Sequence, residues 1–269
     1  MKKPTALIIC PHPDDGDILA GEFSAQSVRA GWNVHELLMT TDEYGTTRND
    51  FKGTRIKAIR KAEMIRAARC YGIGTHGDSF IQLHWANYID GFAPLTHHSI
   101  KRLRTFIRKI NPDIIIGPDP FVHHDAHVDH IATGRNYFYA LKGMDSCDRP
   151  KVMLFFQSLM PDFFLPILNP QTVFKARIAH KSQWSGRIVK IYGNIQRFLY
   201  PFRLIKYAGG RKSDGYRRVT FDYADHYPHG FAKLVFRIFK NHPIGYKEGH
   251  FNPTPEQLNL NLYPKGEIE

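Results

Sequence analysis

The stretch Ala6-Leu7-Ile8-Ile9-Cys10-Pro11-His12-Pro13-Asp14-Asp15 decides how this chain is read. Residues 6–10 are apolar without interruption and end at a proline, the pattern of a strand buried on both faces inside a parallel sheet. Such a strand needs covering helices. Working outward, Ile18 to Ala30 reads as a helix stopped by Gly31, and Val34–Met39 as a second strand. Arg55–Tyr71 carries Ile56, Ile59, Met64, Ala67 and Ala68 at helical spacing before Gly72. Ser99–Ile110 reads as a third helix, and Ile114–Ile116, broken by Gly117-Pro118, as another strand. A helix is expected to begin near Asp129, and Val152–Phe156 reads as a further strand. This alternation predicts an α/β fold: a Rossmann-like parallel sheet with helices on both faces.

Ligands of such sheets bind beyond the C-terminal ends of the strands. Two clusters rich in histidine and aspartate lie there. His12-Pro13-Asp14-Asp15 follows the first strand, and His127-Val128-Asp129-His130 follows the strand at Ile114–Ile116. A catalytic zinc takes three His, Asp or Glu ligands and leaves one position open. His12 and Asp15, three residues apart in a tight turn, can face one side, and His130 arrives from the second loop. The charge of the metal lowers the pKa of a coordinated water toward about 7. Asp14, beside a ligand yet free of the metal, suits a general base. One of His127 and His130 can bind metal while the other acts as acid or cation, with Asp129 orienting that free imidazole. Iron(II) is an alternative to zinc, because these ligand types suit several divalent ions. Among the fifteen histidines, His123 and His124 read as loop lining, and His84, His97 and His98 as surface residues.

The remaining composition bounds the function. At 269 residues with 42% hydrophobic content, the chain can build one main domain. No apolar run approaches the roughly 20 residues that a transmembrane helix needs. The run after Met1-Lys2-Lys3 ends at Pro11, so no secretory signal is expected and the cytoplasm is the expected location. Cys10, Cys70 and Cys147 show no C-x-x-C spacing, and no G-x-S-x-G elbow is present. The net charge of +12 is concentrated: residues 175–218 hold twelve Lys or Arg against the single acid Asp214. Residues 188, 191, 192, 195, 198, 199 and 202 form a helical apolar stripe inside that segment. The expected division is therefore residues 1–184 as the main domain and 185–269 as a basic, partly helical extension packed on it.

Pro11-His12-Pro13-Asp14-Asp15, Arg60-Lys61-Ala62-Glu63 in a helix ending at Gly72, His127-Val128-Asp129-His130, and Lys175-Ala176-Arg177-Ile178-Ala179-His180-Lys181-Ser182-Gln183 together resemble the LmbE-like (PIG-L) N-deacetylase family. The four matches run in order over residues 4–184. The resemblance implies zinc-dependent removal of an acyl, usually acetyl, group from the amide nitrogen of a sugar or sugar conjugate. It implies His12, Asp15 and His130 as metal ligands, Asp14 as general base, His127 as stabiliser of the oxyanion, and Asp129 as the group orienting His127. It also places Arg60 and the aspartate of Asp90-Gly91 near the sugar, with His180 and Gln183 as further substrate residues. For Arg60 a second reading stands, an ion pair with Glu63 or Asp90 in the scaffold.

One departure is marked. The family usually has glutamate after Asp-Asp, whereas Gly16 stands here and Asp17 follows it, an imperfect replacement. A catalytically lapsed binding or scaffold protein is therefore the alternative function. The basic segment leaves several readings: packing on the domain, peripheral contact of 187–218 with an anionic membrane, or recognition of an anionic or lipid-linked substrate. Nucleic-acid binding is the weakest of them.

Overall fold

The structure, a computed structural model, describes residues 2–46, 48–72, 81–122, 127–183, 212–230, 232–234 and 268. The expected buried strand is β1 (Thr5–Cys10), and every residue in it is buried. β2 (Asn33–Thr40) and β4 (Ile114–Pro118) flank it in parallel, β3 (Gln82–Tyr88) extends the sheet beyond β2, and β5 (Val152–Phe156) beyond β4. Antiparallel β7 (Ser213–Arg218) and β6 (Phe163–Pro166) complete a sheet of order β3-β2-β1-β4-β5-β7-β6. Strand order reverses between β1 and β4. A crevice therefore opens at their C-terminal ends, where the two His/Asp clusters begin.

Helices cover both faces. Ala6, Ile8 and Cys10 face a layer that includes α2 (Gly21–Arg29), α3 (Thr54–Gly72) and α6 (Pro170–Ala179), while Leu7 and Ile9 face α4 (His97–Ile110) and α5 (Val128–Lys142). The expected helix from Ile18 to Ala30 is two helices: α1 (Asp15–Leu19) ends at Ala20, whose φ of −135° is not helical, and α2 follows. The break lets α1 follow the turn bearing Asp14 and Asp15 while α2 lies against α6. Strands β3, β6 and β7 lie outside the sequence-based expectation. β3 is an edge strand whose mixed residues, Gln82-Leu83-His84-Trp85, lack a buried strand's apolar run. The helical stripe at 188–202 lies outside the described residues, and no described helix is long and apolar enough to cross a membrane.

Close packing positions the helix that carries His130. Gly117 lies under the fully buried ring of Tyr137, whose hydroxyl donates to the carbonyls of Ile115 (3.1 Å) and Leu154 (3.0 Å). A Cβ at Gly117 would stand 2.7 Å from that ring. Gly117→Ala is expected to cost about 1–3 kcal/mol by overpacking, measured as a lower urea midpoint at unchanged slope.

His84 is corrected from a surface residue to a half-buried one. Its ring stacks on His35 of β2 with Nε2 3.0 Å from His35 Nδ1, and its edge meets Phe106. Burial, and then the neighbouring His84, push His35 from an ordinary 6.5 to about 4. Between those values the unfolded chain binds more protons at this position than the folded one. Stability from this site is thus complete above pH 6.5 and is lost as pH falls toward 4. His35→Gln is expected to flatten the fall in denaturation midpoint between pH 7 and pH 5; an unchanged fall would refute this source. His97 and His98 are exposed, as expected.

Candidate active site

Pro11 ends β1, and the chain turns so that the backbone N–H of His12 donates to Asp15 Oδ2 at 2.9 Å. The same oxygen lies 3.2 Å from His12 Nδ1 and 3.3 Å from His130 Nε2, and those two nitrogens are 3.3 Å apart. Three ligand-type atoms, from the turn after β1 and the first turn of α5, thus form a nearly equilateral triangle. All three residues are at least largely buried.

The other side of His12 is equally occupied. Its Nε2 lies 3.1 Å from Asp129 Oδ2 and 3.2 Å from Asp90 Oδ1. Asp129 is fully buried and also accepts the backbone N–H groups of Gly91 (2.6 Å) and Ala93 (2.9 Å). Asp90 accepts the N–H of Tyr44 at 3.2 Å. Nε2–H of His12 therefore donates into carboxylates, leaving the Nδ1 lone pair for the triangle, the arrangement of a metal-ligating histidine held by an outer carboxylate. Burial disfavours the charge of His12, but its bonds to Asp129, Asp15 and Asp90 hold it well above the ordinary histidine value. Burial likewise opposes the charge of Asp15, yet His130 and His12 hold it well below the ordinary carboxylate value. Both shifts express one demand, positive charge at this point.

The role of Asp129 is corrected. Its carboxylate orients His12, and its distance to His127 Nδ1 is 4.0 Å, too long for a hydrogen bond. It is the backbone N–H of Asp129 that meets His127, donating to Nδ1 at 3.2 Å as His127 caps α5. That bond places the imidazole proton on Nε2. Burial and the charge of His12 lower the pKa of His127, whereas the sequence favoured a cation here. Its side chain remains 45% exposed and faces the cleft. Two proximity groupings, His12/His127/His130 and His12/Asp90/His127/Asp129, also bring metal-ligand atoms together. The triangle with Asp15 is preferred because its sides are equal and because the bonds of Asp90 and Asp129 are already committed outward.

Asp14 stands beside the triangle with φ 147°, an unusual conformation for a non-glycine residue. Asp42 and Gln157, just beyond the ends of β2 and β5, also have positive φ, a conformation that costs a non-glycine residue about 1–3 kcal/mol. Arg60, 2% exposed, donates from Nη2 to Asp14 Oδ1 at 3.1 Å and from Nε to Asp42. Of the two readings of Arg60, the scaffold ion pair is present, to Glu63 at 4.0 Å, and the closer partners are Asp14 and Asp42. Asp42 is raised to about 7 by burial, against the opposing charge of Arg60. Asp42 and Gln157, whose Oε1 lies 3.5 Å from His130 Nδ1, were missed from sequence. The available signal was position, since each directly follows a parallel strand.

His180 and Gln183, expected near the substrate, make protein contacts. His180 is fully buried with Nε2 2.7 Å from Asp17 Oδ2, and Tyr71 donates to the other oxygen of Asp17 at 2.5 Å. Gln183 donates to the carbonyl of Gly45, and Ser182 holds Glu63 through N–H (2.9 Å) and hydroxyl (2.5 Å). Residues 180–183 thus tie α1, α3 and the loop after β2 into one wall. A sugar contact and a wall contact predict different kinetics. His180→Ala should lose about 3–5 kcal/mol of stability, as broken buried pairs do, with KM unchanged in the folded fraction. A raised KM at unchanged stability would restore the substrate role. His123 and His124 lie outside the described residues.

The comparisons with known proteins meet this geometry. The family model for GlcNAc-PI de-N-acetylase (PIG-L) matches residues 7–141, half of the chain, and spans both clusters. The diacetylchitobiose deacetylase of Thermococcus kodakarensis is 27% identical over 79% of this chain and 82% of its own length. The structure of N,N'-diacetylchitobiose deacetylase from Pyrococcus horikoshii superposes with a TM-score of 0.69 at 25% identity, covering 86% of this chain and 88% of that one. GalB, the 4-carboxy-2-hydroxymuconate hydratase of Pseudomonas putida KT2440, shares the fold at a TM-score of 0.65 and 16% identity over 81% of this chain and 97% of its own. The fold thus carries more than one chemistry, while the PIG-L family model covers three of the four motif stretches of this sequence. The chain belongs to the PIG-L family.

Proposed function

We propose that this protein is a metal-dependent N-deacetylase that removes the acetyl group from an amino sugar or sugar conjugate, with zinc held by His12, Asp15 and His130. One observation carries the reading: the sides of the triangle are 3.2, 3.3 and 3.3 Å. A tetrahedral ion with ligand bonds of about 2.0 Å has ligand–ligand edges of about 3.3 Å. The donor set of two imidazoles and one carboxylate, embedded among Asp14, Asp90 and Asp129, fits a divalent cation. Such a cation supplies Lewis-acid activation of water and of the amide carbonyl.

The residues of the chain supply the rest. Asp14, fixed by Arg60, takes the proton from the attacking water and returns it to the departing amine. His127, with its proton on Nε2, donates to the carbonyl oxygen as negative charge develops there, a contribution of about 3–4 kcal/mol for a well-placed donor. Asp129 and Asp90 keep His12 in orientation. The diacetylchitobiose deacetylase relatives support an N-acetylated sugar as substrate. An anionic or lipid-linked group on that sugar is the finer proposal, supported by the twelve basic residues of 175–218.

The test is amine release by zinc-loaded protein from N-acetylglucosamine, diacetylchitobiose, and nucleotide-linked and lipid-linked N-acetyl sugars. Release from one class identifies it. A folded, zinc-loaded protein that frees no amine from any of them would sink the reading.

A further inference from the structure

Gly16 is the second residue of α1, and its backbone does not require glycine, since positive φ is confined to other positions. A glycine inside a helix costs about 1 kcal/mol relative to alanine, so its presence calls for a packing reason. The reason is Glu36. A Cβ at Gly16 would lie 2.2 Å from Glu36 Oε1, 2.9 Å from its Cδ and 3.1 Å from Cys10 Sγ. Glu36 is 1% exposed, so a methyl at Gly16 would push its carboxyl out of a buried place. It comes from β2, in the row Val34, Glu36, Leu38, which faces the layer holding α1 with its buried Asp17, and its backbone pairs with Ile8. Among the described residues its Oε1 has no hydrogen-bond partner. A buried carboxyl in such a row is costly and needs a use.

The place it fills has one. Gly16 immediately follows Asp14 and Asp15, and α1 is only five residues long, so its seat on the sheet sets where both aspartates point. From the far side Asp17 is held by Tyr71 and His180, and Arg177 donates to the carbonyls of Asp17 and Ile18 at 2.8 Å each. Glu36 supplies the support from beneath. We propose that Glu36 is a positioning residue: its carboxyl, delivered from β2 into the space that Gly16 leaves, fixes the seat of α1 and thereby the orientation of the metal ligand Asp15 and the base Asp14. The proposal rests on the metal-site reading above. It assigns the Gly16–Glu36 pair as one coupled unit.

The test is a cycle of Gly16→Ala, Glu36→Ala and the double variant, with Glu36→Gln as the conservative change. Zinc affinity is read by competition with a chromophoric chelator, melting temperature on the metal-free protein, and kcat and KM on the N-acetylated sugar. Each single alanine variant is expected to lose about 10–100-fold in zinc affinity and in kcat at unchanged KM, as loss of an outer support does. Glu36→Gln, which keeps the volume, should stay within about threefold of wild type, since only the contact geometry matters. The double variant should recover most of the Gly16→Ala loss, because the new methyl enters the vacated space. Wild-type zinc affinity in Gly16→Ala, additive losses in the double variant, or losses seen only in melting temperature would each overturn the proposal. Zinc affinity also separates the two readings. A wild-type protein that binds zinc but frees no amine fails as a deacetylase while the affinity cycle still decides the role of Glu36; a wild type that binds no zinc overturns both.

Discussion

Asp14→Asn is expected to lower kcat by about 10²–10⁴-fold, the usual worth of a positioned general base, while zinc affinity stays near wild type. Asp14 is adjacent in sequence to Asp15 but is not a vertex of the triangle, and its Oδ1 is bonded to Arg60 rather than to a histidine. Asparagine keeps the shape and can still accept from Arg60, so the turn should hold. What disappears is the capacity to take a proton. Retention of near-wild-type kcat in a metal-replete assay would assign the base elsewhere, whereas a parallel loss of zinc would make Asp14 part of the ligand set.

His130→Ala removes a vertex, and its effect should be larger still on metal. His130 is the one vertex that comes from α5, so without it only His12 and Asp15 of a single turn remain. The expected loss of zinc affinity is well beyond the roughly 10–100-fold that removal of an outer-shell partner costs, with kcat falling to background. Asp129→Asn should fall within that smaller range, because it weakens the hold on His12 without removing a ligand. Zinc binding measured on the three proteins should rank them wild type, Asp129→Asn, His130→Ala. Equal affinity of His130→Ala and wild type would transfer the third vertex to His127, the nearest other imidazole.

How much of this was legible in sequence follows from the range of each interaction. β1, β2, α3, α4 and β5 declared themselves through local pattern, an apolar run or a helical period within one element. β3 and the antiparallel pair β6 and β7 did not: β3 and β7 are of mixed composition, β6 is only four residues long, and all three owe their place to neighbours distant in sequence. The expected trio His12, Asp15 and His130 could be named because its residue types stand in two short motifs, one in the turn after β1 and one at the start of α5. The partners could not. Asp129 binding His12 across 117 positions, Arg60 reaching back to Asp42, and His180 turning inward to Asp17 are long-range choices that spacing does not encode. Gly16 looked like a defect in a motif, and only the seating of β2 against α1 gives it a partner.

The central claim is that one ion held by His12, Asp15 and His130 enables amide hydrolysis on an N-acetylated sugar. It is tested most directly by stripping the protein with a chelator, titrating zinc back, and measuring acetate and free amine together. The expected result is no release without metal, a rise that breaks at one zinc per chain, and equal amounts of acetate and amine. Release that continues at full rate in the stripped, chelated protein would contradict it.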